Sequence, residues 1–167
     1  ADVAVALAAL PGAAAISTGS AESLVGLCPA LSTRYPSARA DHGSEAELVR
    51  RRILALGELL ASIADEAPVA VLIDDTHWAD PASRQVLAGV VSRLSSDRAL
   101  VVTAARPVAE GTVSHVRSTT HTLEPLTVGQ VGAIVAGLGI LPAETWADRF
   151  TERLHAASGG SPLLVLE

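Results

Sequence analysis

The residues able to do chemistry in this sequence gather at the ends of two apolar runs. Val69 to Ile73 leads directly into two carboxylates, Asp74 and Asp75, and Ala99 to Ala105 leads into the guanidinium of Arg106. Runs of that length and aliphatic composition predict strands buried on both faces, so the acids and the arginine stand at strand C-terminal edges. In an open parallel sheet that edge opens into the crevice where ligands bind. A carboxylate there is suited to hold a hydrated divalent cation, a second one to orient or deprotonate a water, and an arginine to grip phosphate oxygens bidentately. Plainer roles exist for the same residues: adjacent acids cap turns, and an arginine pairs with a nearby acid.

The flanking pattern says what must position them. Asp80 and Pro81 read as N-cap and first residue of a helix whose apolar stripe is Val86, Leu87, Val90, Val91 and Leu94, so strand and helix make half of a βαβ unit. Upstream, Ser44 with Glu47 is a capping box, and Val49, Ile53, Leu56, Leu60 and Ile63 continue at helical spacing to Pro68. Val3, Leu7 and Leu10 predict a helix closed by Pro11-Gly12. Ala13 to Ser17 predicts a further strand, and residues 20 to 40 a broken helix interrupted at Pro29. After a polar surface loop over 108–119, Thr120 to Leu123 predicts a last strand. Thr127 with Gln130 forms a second capping box before Val131, Ile134, Val135 and Leu138. A helix from Ala143 runs to the stop at Gly159-Gly160, and Ser161-Pro162 opens another.

The segment LIDDTHWADPAS resembles the Walker B region of STAND-type P-loop ATPases, in particular the ATPase module of large bacterial LuxR-type transcriptional regulators, whose His-Trp-Ala-Asp-Pro tail it shares. The resemblance implies an α/β fold: a P-loop NTPase-like parallel sheet flanked by helices over 1–124, with the start of an α-helical lid over 125–167. It implies ATP or ADP with Mg²⁺ as ligands, Asp74 holding the metal and Asp75 acting on the attacking water. By likeness to the Thr-x-Arg sensor of these ATPases, Arg106 contacts the terminal phosphate. By likeness of GGSPL to their Gly-x-Pro motif, Pro162 packs on adenine, although a helix break followed by a cap accounts for the same letters. The implied function is an ATP-driven regulatory switch with slow hydrolysis, reaching DNA only through a domain absent from this chain.

One departure stands out. A phosphate-binding loop needs Gly, four residues, then Gly-Lys-Ser/Thr, and the sequence contains no lysine. The resemblance places that loop upstream of Ala1, and with no methionine anywhere the chain reads as a piece of a longer polypeptide. By itself it is expected to be inactive, and to fold poorly or to form a homo-oligomer through open strand edges. Two other functional classes fit parts of the pattern: a non-catalytic scaffold derived from an ATPase, and a metal-dependent hydrolase using Asp74, Asp75, His77 and Asp80.

Composition sets the outer bounds. With 49% apolar but 2% aromatic residues the core must be aliphatic, which favours helices on a parallel sheet over a sandwich. A net charge of −6 and a pI near 5.3 leave no electrostatic footprint for nucleic acid. Cys28 is the only cysteine, excluding an internal disulfide, and no apolar run is long enough to span a membrane, so a soluble cytoplasmic protein is expected. Trp78 is expected to pack rather than bind, His42 to be a solvated loop residue, and His115 and His121 have no partner at metal-binding spacing.

Overall fold

In the computed structural model the described residues are 2–94, 97–106, 118–139 and 145–167. They form two compact units, Ala1–Ser118 and Thr119–Glu167. His115, most of the expected surface loop and the helix start at Ala143 lie outside the described residues.

The first unit holds α1 (Asp2–Ala8), α2 (Thr18–Leu27), α3 (Glu45–Glu66), β1 (Val69–Ile73), α4 (Pro81–Arg93) and β2 (Ala99–Thr103). The two strands pair in parallel with Val69 opposite Ala99 and Ile73 opposite Thr103, and α4 connects them, so the βαβ unit is present. The architecture is α/β and helix-rich. Leu24 of α2 and Leu59 of α3 are fully buried, with Leu60, Ile63, Val90 and Leu94 around them, and Val71 and Val101 pack against this core from the sheet.

Only that face of the sheet is covered. Ala70, Leu72, Leu100 and Val102 point the other way and are exposed, Leu72 to 74%. The expectation of strands buried on both faces is thus corrected: the inner face packs on helices, and no described element of this unit lies on the outer one.

The start of α3 is defined locally. The Glu47 carboxylate accepts the Ser44 N–H at 3.2 Å, closing the expected capping box. Midway along α3, Glu58 reaches sideways to α2: its carboxylate accepts the Ser17 N–H at 2.7 Å, the Ser17 hydroxyl at 2.9 Å and the Ser20 hydroxyl. Partial burial pushes the Glu58 carboxyl up, but these donors outweigh it and hold it below its ordinary 4.5. A carboxyl depressed in the folded state contributes stability above its unfolded pKa and loses it as pH falls through the folded value. Stability of the first unit is therefore expected to decline below about pH 4.5, and Glu58→Gln to flatten that acid limb, read from melting temperatures between pH 3 and 7. An unchanged acid limb in the variant would remove Glu58 from this role.

Ala13 to Ser17 is not a strand. The Ala13 and Ala15 amides donate to Leu10 and Gly12 carbonyls in consecutive turns, the Ala13 carbonyl accepts the Tyr35 hydroxyl at 2.8 Å, and Ser17 is the N-cap of α2. Its backbone is thus bonded in turns and caps, leaving no ladder to join. The break at Pro29 is present, as a five-residue 3₁₀ helix over Pro29–Thr33.

The second unit holds α5 (Val128–Leu138), α6 (Thr145–Ser158) and α7 (Pro162–Leu166). Thr127 and Gln130 form their capping box. No strand forms at Thr120–Leu123, where every residue is exposed. Leu126 instead ties this segment to the α6–α7 junction: its amide donates to the Gly160 carbonyl at 2.9 Å, and its carbonyl lies 2.9 Å from His155 Nε2. Gly160 has φ +75, and a Cβ there would meet the Leu126 carbonyl oxygen at 2.5 Å, so only glycine fits.

Candidate functional site

The site grows out of β1. After Ile73 the chain enters a tight turn in which Asp74 Oδ1 accepts the Asp75 amide at 2.8 Å, and Asp75 takes the left-handed conformation at φ 52 that aspartate tolerates better than most residues. A one-turn 3₁₀ helix over Thr76–Trp78 follows, and Asp80 then caps α4. Both Asp74 and Asp75 are exposed at the C-terminal edge of the strand, as expected.

The neighbouring strand end is clamped to this turn. The Ala104 amide donates to the Ile73 carbonyl at 2.9 Å, and the Ala104 carbonyl accepts the Thr76 amide at 2.9 Å and its hydroxyl at 3.1 Å. These bonds carry the ladder past the last strand residues and bring Arg106 beside the acids. The Arg106 amide donates to His77 Nδ1 at 3.4 Å, and that same nitrogen lies 3.6 Å from Asp75 Oδ1. The Arg106 side chain is exposed and makes no ion pair with a described residue, so its charge is not spent on an acid of this turn.

Trp78 departs from expectation. The residue is 77% exposed, with its ring 5.2 Å from the neighbouring His77 ring, because the 3₁₀ turn directs position 77 inward and 78 outward. His77 is the residue that sequence reading missed as a structural element of the site. It was visible only as a possible metal ligand, and no periodicity signals which residue of a single turn faces inward.

Asp80 is occupied otherwise. The Ser83 hydroxyl at 2.6 Å and the Ser83 amide at 2.9 Å hold its carboxyl below the ordinary range. Among the described residues no three His, Cys, Asp or Glu side chains come together to hold a metal. A hydrolytic centre built from Asp74, Asp75, His77 and Asp80 therefore has no assembled ligand set.

Pro162 belongs to the second unit, at the first position of α7, exposed and preceded by Gly159 and Gly160 with φ +58 and +75. The helix break expected of GGSPL is present there, with Ser161 at the N-cap position and Pro162 at the first helical one, although the Ser161 side chain makes no capping hydrogen bond.

A parallel βαβ unit with two acids at one strand's carboxyl edge and an arginine at the next is the arrangement of an α/β ATPase-like fold. The AAA ATPase domain family model matches residues 1–103, more than half of the chain, and the chain belongs to that family. No curated protein and no solved structure matches it. No described helix is long and apolar enough to cross a membrane.

Proposed function

We propose that this chain is the ATP-binding switch module of a bacterial LuxR-type transcriptional regulator of the STAND class, in which nucleotide binding and slow hydrolysis set the arrangement of an α/β core and a helical lid. The observation that carries it is the clamped strand-end pair: Asp74 and Asp75 at the tip of β1, with Arg106 at the tip of β2. The donor set fits Mg²⁺ in the usual manner of nucleotide sites, since Mg²⁺ keeps most of its waters and asks for one or two carboxylates beside the phosphates. Asp74 would hold it, and bound metal would supply charge neutralisation on the phosphates.

The remaining roles belong to the chain's own groups. Asp75 orients the attacking water and takes its proton, Arg106 grips the terminal phosphate and reports its loss, and Pro162 packs against adenine. A cradle for the phosphates is not among these residues, which include no lysine, so the reading requires that loop from elsewhere in a parent polypeptide. DNA contact likewise belongs to another domain, the site of action is the cytoplasm, and oligomers form through the open sheet.

The missing lysine favours one other reading, a non-catalytic scaffold that keeps the fold without the phosphate site. Calorimetric titration of Mg·ATP and ADP into the chain, and into a longer product of its gene that includes a Gly-Lys-Ser/Thr loop, separates the two. Binding by the longer form that Asp74→Ala reduces at least about tenfold, as loss of a metal-linked carboxylate should, is the expected result. A folded longer form that binds neither nucleotide would leave the scaffold.

A further inference from the structure

The burial order at the strand end is inverted. His77, a polar ring, has a side chain only 10% exposed, while the indole beside it lies in solvent. An imidazole placed inside in preference to an indole needs a polar partner there, and the structure supplies it: the Arg106 amide donates to Nδ1 at 3.4 Å. An N–H can be received only by a nitrogen with a free lone pair, so Nδ1 is the acceptor and the ring proton sits on Nε2. Nε2 is itself buried with no partner among the described residues, so the ring is held from its Nδ1 side alone.

We propose that His77 is the positioning residue of this site, its Nδ1 acting as the last rung between the β1 turn and the β2 end and thereby fixing the Arg106 backbone beside the turn that carries Asp75. This rests on the roles proposed above for Asp75 and Arg106. The rungs before it, Ile73 to Ala104 and Ala104 to Thr76, join backbone to backbone or to a threonine hydroxyl. Among the described residues the His77 ring is the side chain that bonds the Arg106 amide, so its loss frees that position without melting the sheet.

Two isosteres of the ring divide its nitrogens. Asparagine places an amide oxygen near Nδ1 and restores the acceptor, whereas glutamine places its amide near Nε2 and does not. In the nucleotide-free chain, long-range ¹H–¹⁵N spectra, assigned by the signal that disappears in His77→Asn, are expected to show the proton on Nε2. A proton on Nδ1 at neutral pH would overturn the proposal without any variant having to fold. Amide exchange at Arg106 is expected to match the parent in His77→Asn and to be about 2- to 10-fold faster in His77→Gln, the range one hydrogen bond covers. Equal rates in the two variants overturn it. In the form that hydrolyses Mg·ATP, His77→Gln should lower kcat with KM unchanged, and His77→Asn should restore it. If no form binds nucleotide while the tautomer and exchange results hold, the ATP reading falls and the rung stands.

Discussion

Asp75→Asn is expected to lower Mg·ATP hydrolysis by about 10²- to 10⁴-fold, the usual contribution of a positioned base, while leaving nucleotide affinity unchanged. Asparagine keeps the size of the side chain and its left-handed backbone preference, so the turn at φ 52 survives and only the proton acceptor is lost. The split matters because Asp74 is its immediate neighbour. Asp74→Ala should weaken binding through the metal, so the two substitutions should fail in different steps. Phosphate release under single-turnover conditions, beside calorimetric affinity, reads both in the form that binds nucleotide. An Asp75→Asn protein that turns over at the parent rate would show that the acids are a turn cap and nothing more.

Leu59→Ala is expected to destabilise the first unit by about 3–5 kcal/mol, the upper part of the range for a fully buried leucine. Leu59 has no exposed surface and lies in the core beneath α2 and the sheet, where a cavity has little freedom to collapse. In a unit of this size that corresponds to a melting temperature lower by roughly 10–20 °C. The loss is a large fraction of the roughly 5–15 kcal/mol that holds a typical domain together. With the outer sheet face exposed, this unit has only its helical side to draw on. Chemical denaturation of parent and variant gives the difference directly, and a loss under about 1 kcal/mol would place the core somewhere else.

What could be read from the sequence was what is encoded within a few residues. The capping boxes at Ser44 and Thr127, the Asp80-Pro81 start of α4 and the glycine stop after α6 each rest on contacts three or four positions apart, and all formed. The β1 run and its acidic tip were legible for the same reason. The two expected strands at Ala13–Ser17 and Thr120–Leu123 were not, because a strand exists only if a neighbour offers it a ladder. Ala13 found a turn and the Tyr35 hydroxyl instead, and Leu126, just past the second run, was taken by Gly160 and His155. At the site, Asp74, Asp75 and Arg106 were found from strand ends, but the inward His77 and outward Trp78 were not. Their orientation depends on the handedness of one turn, set by a left-handed aspartate that no hydrophobic pattern reports.

The sideways reach of Glu58 has a kinetic consequence. Helix α2 is ten residues long, too short to persist alone in water, and the carboxylate that anchors its N-cap serine comes from 41 positions later in the chain. The cap itself is local, Ser17 to the Ser20 amide, but closing so large a loop to anchor it is entropically costly, so the start of α2 is fixed only after α3 has formed and docked. Folding of this unit should therefore begin on the α3 side and finish at the amino-terminal helix. The contacts of Ser17 and Ser20 then act mainly as a brake on unfolding.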